Sequence, residues 1–99
     1  MYRGSTPTLV FNLPIEADQL ETAYVTVVQL GRPIIDKPLA ECEADGTALR
    51  VRLTQEETLK MIDKTQAKVQ FRGKTITGDV IISAIFEVMP EQILHDGVI

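Results

Sequence analysis

The sequence predicts an all-β protein, an antiparallel β-sandwich of the immunoglobulin-like type, with about seven strands and one short helix near residues 55–62. Three observations favour this fold. Several short segments alternate apolar and polar residues, as strands with one buried face do. Gly, Pro and Asp recur between these segments, where tight turns need them. No long helical pattern separates the strands, which argues against a parallel α/β arrangement.

The chain of 99 residues is expected to form one domain, residues 1–99, because it has little room for a second core. The net charge of −4 argues against a general nucleic-acid binder, which is usually strongly basic. Cys42 is the only cysteine, so no disulfide can form within the chain. A reducing compartment, or a particle assembled in one, is therefore expected. We expect no signal peptide and no membrane span, because neither pattern occurs.

The first half of the chain predicts strands separated by turns. Residues 8–13 place Leu9, Phe11 and Leu13 on one face, and Pro14 ends this strand because proline cannot donate to a ladder. Asp45-Gly46 predicts a hairpin. The chain should begin with an arm at 1–7, a strand at 8–13 and a polar loop or one helical turn at 15–21. Strands should follow at 22–30 and 34–37, then a short edge segment at 39–43 and a strand at 48–53.

Thr54 and Glu57 predict the start of the one helix. The Thr54 hydroxyl can accept from the Glu57 amide while the Glu57 carboxylate reaches back to the Thr54 amide. A helix of about two turns should therefore run to about residue 62.

The last part of the chain predicts a hairpin. Residues 67–72 alternate strictly, Thr77-Gly78-Asp79 interrupts them, and residues 80–89 are rich in β-branched and aromatic side chains. This strand should be apolar on both faces, with Val80, Ile82, Ala84, Phe86 and Val88 on one and Ile81, Ile85 and Met89 on the other. We therefore expect a central strand covered on both faces. Either the C-terminal tail or a second copy of the chain would cover its outer face.

Basic residues form the first candidate contact surface. Lys68, Arg72 and Lys74 should project from one strand, and Arg50 and Arg52 from another. If both strands lie in one sheet, these residues form a positive stripe suited to an acidic partner or a phosphate backbone. If the strands lie in opposite sheets, they form two ordinary solvated faces.

The C-terminal tail forms the second candidate contact surface. Ile93, Leu94, Val98 and Ile99 are large and apolar, and such side chains rarely stay exposed together. They either pack back on the sandwich or dock on another subunit. The candidate partner-binding residues are Lys68, Arg72, Ile81, Ile85, Ile93 and Leu94.

No residue pattern predicts a catalytic, cofactor or metal site. His95 is the only histidine and Cys42 the only cysteine, whereas a zinc site needs three or four ligands. Glu41 and Glu43 flank Cys42 and disfavour a reactive thiolate. The acidic residues between positions 36 and 45 do not follow the spacing of a calcium-binding loop.

Four segments carry a resemblance to a known group of proteins. They are residues 2–8 (Tyr-Arg-Gly-Ser-Thr-Pro-Thr), residues 51–58, the hairpin around Gly78 and the ending at residues 93–99. In order and spacing they resemble small proteins encoded in phages and prophages of Gram-positive, Clostridia-type gut bacteria. This chain departs from the group's pattern at Ser5 and at Ile76-Thr77-Gly78. The resemblance implies a phage-encoded protein of the structural-gene region, with no catalytic residues to carry over.

The expected function is that of a non-enzymatic phage structural or assembly protein associated with the tail or baseplate. Its partners would be phage structural proteins or further copies of itself, first in the host cytoplasm and then in the virion. The alternative is a phage-encoded soluble inhibitor that binds a host factor through its acidic surface. A glycan-binding module is a weaker fit, because the chain has no Trp and few other aromatic residues.

Overall fold

The computed structural model describes all 99 residues and contains eight strands in two antiparallel sheets. The strands are β1 (Thr8–Asn12), β2 (Leu20–Gln29), β3 (Arg32–Pro38), β4 (Glu43–Asp45), β5 (Ala48–Arg52), β6 (Ala67–Thr75), β7 (Val80–Ile82) and β8 (Phe86–Val88). The smaller sheet has the order β1-β5-β4. The larger has the order β3-β2-β6-β7, and β8 pairs with β6 beyond the end of β7.

The predicted all-β, sandwich-like fold is confirmed, with 47% of residues in strands and 11% in helices. The polar segment at 15–21 contains a single 3-10 turn, Ala17–Gln19, as one of the two predicted alternatives. The short edge strand expected at 39–43 is wrong in its bounds. A second 3-10 turn, Leu39–Glu41, occupies that segment because the Cys42 amide donates to the Leu39 carbonyl at 2.9 Å, and β4 follows it.

Alternation along the strands decides which side chains meet between the sheets. In β6, Val69 and Phe71 are fully buried while Lys68 and Arg72 face solvent. Leu49 of β5 is fully buried in the opposite sheet. The two sheets and Met61 contribute to one apolar cluster, in which each buried Val, Leu, Ile, Phe or Met side chain adds about 1.5–3 kcal/mol.

The helix α1 (Gln55–Leu59) begins with the predicted capping box but ends earlier than predicted. The Glu57 amide donates to the Thr54 hydroxyl at 3.2 Å, and the Thr54 amide donates to the Glu57 carboxylate at 2.8 Å. A helix extending to residue 62 needs the Ile62 amide for its own ladder. That amide instead donates to the Gln29 side chain at 2.8 Å, so the chain leaves the helix before this point.

A buried lysine links the larger sheet to α1. Lys37 of β3 is only 6% exposed, and its ammonium lies 2.9 Å from the Glu57 carboxylate and 3.8 Å from that of Glu41. Burial alone would raise the pKa of Glu57. The hydrogen bonds from Lys37 and from the Thr54 backbone outweigh it and hold that pKa below its usual value.

The two ends of the chain run side by side next to α1. Tyr2 and Glu91 form a parallel bridge, and the Arg3 amide donates to the Glu91 carbonyl at 3.1 Å. The Arg3 guanidinium donates to the carbonyl of Leu59, the last residue of α1, at 2.9 Å and to that of Met61, just beyond it, at 2.7 Å. None of the helices has the length and apolar character needed to cross a lipid bilayer.

Candidate functional site

Two sheet edges are free on the same side of the sandwich. β1 pairs only with β5, while β7 and β8 pair only with β6. The Phe11 ring of β1 lies 5.8 Å from that of Phe71 in β6 and 5.7 Å from that of Phe86 in β8, measured between ring centroids. β1 therefore lies over β6 and β8, and the free edges of the two sheets are neighbours.

The free edge of β1 presents unpaired backbone groups. The Pro7 carbonyl accepts from the Leu53 amide at 2.9 Å, and the Leu13 amide donates to the Thr47 carbonyl at 2.8 Å, so these positions face β5. In an antiparallel ladder, alternate residues direct their backbone groups to opposite sides. The amides and carbonyls of Thr8, Val10 and Asn12 consequently point away from β5, toward the free side.

Residues 80–89 do not form the predicted central strand with both faces covered. They form two edge strands of three residues each, separated by Ser83, Ala84 and Ile85. The Ser83 hydroxyl accepts from the Phe71 amide at 2.9 Å, and the Ser83 amide donates to the Phe71 carbonyl at 2.9 Å. The serine side chain thus takes a position in the ladder where backbone would otherwise pair, and the strand breaks there.

The break also changes which side chains share a face. Ile82 is opposite Arg72, and Phe86 is opposite Val69. Three residues of the 80–89 segment therefore span two residues of β6, which is a bulge. One extra residue reverses the faces of everything beyond it. The prediction that Ile82 and Phe86 share a face is wrong: Ile82 lies on the outer face beside Arg72, whereas Phe86 faces the other sheet.

Exposed apolar side chains concentrate beside these free edges. Six of the fourteen large apolar side chains exposed on the molecule fall between Ile76 and Met89. A cleft of about 220 Å³ opens between the two edges, lined by Phe11 and Pro14 on one side and Ile81 and Ser83 on the other. We call the exposed apolar residues of these edge segments the open edge: Val10, Val80, Ile82, Ile85, Phe86 and Met89.

The predicted basic stripe does not form as one surface. Lys68, Arg72 and Lys74 lie on β6 in the larger sheet, and Arg50 and Arg52 lie on β5 in the smaller sheet. Arg50 pairs with Asp45 at 3.2 Å. On the outer face, Lys68 is opposite Glu87, and Arg72 lies between Tyr24 and Ile82. The basic residues are thus divided between two sheets.

The other predicted contact residues occupy different environments. Ile81 is half-buried opposite Gly73 and packs against the core, whereas Ile85 is exposed within the bulge. In the tail, Ile93 is half-buried, with its Cδ1 atom close to Gly4, but Leu94 is fully exposed. The tail follows the N-terminal arm and reaches α1, where the Ile99 amide donates to the Gln55 side chain at 2.9 Å. It is therefore not paired with β7 or β8.

Residues with reactive or ligating side chains are dispersed. His95 is exposed in the tail, and no three His, Cys, Asp or Glu side chains cluster as metal ligands would. Burial raises the pKa of the Cys42 thiol, the Lys37 ammonium opposes this shift, and Glu41 adds to it. At neutral pH the Cys42 side chain is consequently a protonated thiol, with its sulfur 3.4 Å from the Pro38 carbonyl.

Val10 and the free edge of β1 are not among the contact residues predicted from the sequence. The sequence does contain a signal for this free edge, because residues 8–12 contain neither a charge nor a proline, the usual protections of an edge strand.

Comparisons of the chain with protein-family models, with curated proteins and with solved structures found no match.

Proposed function

We propose that this protein is a non-enzymatic structural or assembly component that works through protein–protein contacts, with the open edge as its contact surface. The observation that carries the proposal is the coincidence of unpaired backbone groups on β1 with exposed apolar side chains on β7 and β8. An extended segment of another protein chain satisfies both, since it supplies backbone partners and covers apolar side chains.

The charge of the open edge supports a protein partner. β1 carries no charged residue, and Glu87 is the only one between Val80 and Met89. Glu87 is opposite Lys68 and accepts a hydrogen bond from Gln66. A phosphate backbone is bound mainly by Lys and Arg, and none lies within these strands. These strands themselves offer a partner apolar side chains and free backbone groups.

The proposed setting is a phage or prophage particle, and its support is the resemblance carried by residues 2–8, 51–58 and 93–99 and by the hairpin around Gly78. In that setting the protein would associate with the tail or baseplate. It would be present in the host cytoplasm during assembly and then in the virion.

Quantitative mass spectrometry of purified particles tests this proposal. Particles are collected from a strain that carries the gene, and the expected result is this chain at a fixed copy number relative to the other structural proteins. Absence of the chain from intact particles would reject the virion role. It would favour the alternative, an inhibitor that binds a host factor through its acidic surface.

A pair of variants tests the surface itself. Ile85→Lys places a charge in the open edge, whereas Ile62→Lys places one at a comparably exposed residue after α1. We expect Ile85→Lys to reduce incorporation into particles at least about tenfold, because a charge must be desolvated at an apolar contact, and Ile62→Lys to be incorporated normally. Equal incorporation of the two variants would contradict the role of the open edge.

A further inference from the structure

We propose that the open edge binds a second copy of this chain, through antiparallel pairing of β1 with β1 of the copy about a two-fold axis at Val10. The inference rests on the proposed function, because it names one partner for the same surface. Its basis is the difference between the two sides of the sandwich.

The side opposite the open edge is protected against strand addition. There the outer strand of the larger sheet is β3, which contains Pro33 and Pro38 and a register shift opposite Val27 and Val28. The outer strand of the smaller sheet is β4, which has only three residues, two of them Glu43 and Asp45. Prolines, irregular register, short length and charge are the means by which sheet edges avoid pairing.

β1 has none of these protections. It pairs with β5 in unbroken register over all five of its residues, and its sequence Thr-Leu-Val-Phe-Asn contains no charge and no proline. β7 and β8, on the same side, are short and bulged, but they add apolar side chains rather than charge. One side of the sandwich is therefore closed to strand addition, and the other is open to it.

The absence of charge favours a second copy as the partner. A two-fold contact places each strand against its own sequence, so any charged residue at the axis would face the same charge. β1 carries no charged residue, so pairing it with its own copy brings no like charges together at the axis. Val10 at its centre is exposed and apolar.

The geometry of β1 fixes the register of the pair. Thr8, Val10 and Asn12 direct their backbone groups outward, so pairing Val10 with Val10 of the copy also pairs Thr8 with Asn12. Each outward amide of these three residues then donates to a carbonyl of the other copy. Leu9 and Phe11, which face the interior, become neighbours across the axis and extend the core from one copy to the next. The smaller sheets join into one continuous sheet, and the apolar residues of β7 and β8 approach their counterparts.

Disulfide cross-linking tests the register. In a Cys42→Ser background, Val10→Cys places the two new thiols opposite each other, with Cα atoms about 5.5 Å apart, within the range that a disulfide spans. Asn12→Cys is the matched control, since its two copies lie two residues from the axis on either side, about 13 Å apart along the strands. We expect mild oxidation to cross-link Val10→Cys and to leave Asn12→Cys monomeric. Equal cross-linking of both, or of neither, would overturn the proposed pairing.

Sedimentation velocity on charged variants provides a second test. Val10 and Tyr24 are both 49% exposed, but Tyr24 lies on the central strand β2, which has no free edge. We expect the wild type and Tyr24→Lys to dimerise with increasing concentration. Val10→Lys should raise the dimer dissociation constant at least about a hundredfold, because two like charges face each other at the axis. A wild type that stays monomeric at millimolar concentration, or a Val10→Lys variant that dimerises normally, would overturn the inference.

The outcome is separable from that of the proposed function. If the protein is monomeric in solution but Ile85→Lys is lost from particles, the open edge serves a different protein and only the self-pairing is rejected. If the protein dimerises through Val10 but is absent from particles, the virion role is rejected and the self-pairing stands.

Discussion

Glu57 is the residue on which the junction between α1 and the larger sheet depends. Its carboxylate accepts from the Thr54 amide at 2.8 Å and from the buried Lys37 ammonium at 2.9 Å. The capping half of this role could be predicted from Thr54 and Glu57 alone, because their three-residue spacing is that of a capping box at a helix start. The ion pair between Glu57 and Lys37 could not be predicted, because alternation along residues 34–37 does not reveal that a lysine points inward to meet a helix.

The low pKa of Glu57 predicts a pH-dependent contribution to stability. A carboxyl whose pKa is lowered in the folded state stabilises the protein fully above its unfolded pKa, about 4.3. It loses that contribution as the pH falls through the folded pKa, which lies lower. Glu57→Gln retains an acceptor for the capping box but removes the charge. We expect it to reduce the free energy of unfolding by about 2 kcal/mol at pH 7, and the difference from wild type to shrink below about pH 4.

Urea unfolding across this pH range measures the effect of Glu57→Gln. Glu56→Gln is the control, since Glu56 is exposed and forms no ion pair. A Glu57→Gln deficit that is the same at pH 7 and pH 3 would show that its charge does not stabilise the fold.

Among the elements, β7 and β8 depend on Ser83 for their connection to β6. The Ser83 hydroxyl accepts a hydrogen bond from the backbone amide of Phe71, and Phe71 is fully buried. Ser83→Ala leaves that amide without a partner, so we expect a loss of about 1–2 kcal/mol in the free energy of unfolding and faster hydrogen exchange at Phe71. The amides of Gln70 and Arg72 face β2 and serve as internal controls. Unchanged exchange at Phe71 would show that the bulge does not depend on this hydroxyl.

The same segment shows where sequence reasoning at the level of elements stops. The turn at Thr77-Gly78-Asp79 and the antiparallel pairing that follows it could be predicted, because both depend on neighbouring residues. The division of residues 80–89 into two short strands could not be predicted, because it follows from the Ser83 side chain, which bonds to Phe71 twelve residues earlier in the chain. A hydrophobic pattern without a charge looks the same whether a strand is covered on both faces or exposed at an edge.

At the scale of the whole molecule, the sandwich has one protected side and one open side. The all-β architecture could be predicted from alternation and turns, but the order of the strands within each sheet could not. The assignment of β5 and β6 to different sheets separates Arg50 from Lys68, and the strand order places β1 at an edge. The open edge therefore depends on the tertiary structure, which brings residues 8–12 and 80–89, far apart in sequence, side by side.

Hydrogen exchange of the β1 amides, measured by NMR as a function of protein concentration, tests most directly whether another chain covers this edge. We expect the amides of Thr8, Val10 and Asn12 to exchange rapidly in dilute protein and to become protected as the concentration rises. The amides of Leu9 and Phe11, which donate to β5, should be protected throughout. Rapid exchange of Thr8, Val10 and Asn12 at every concentration would contradict the account. So would protection that is already complete in the dilute monomer.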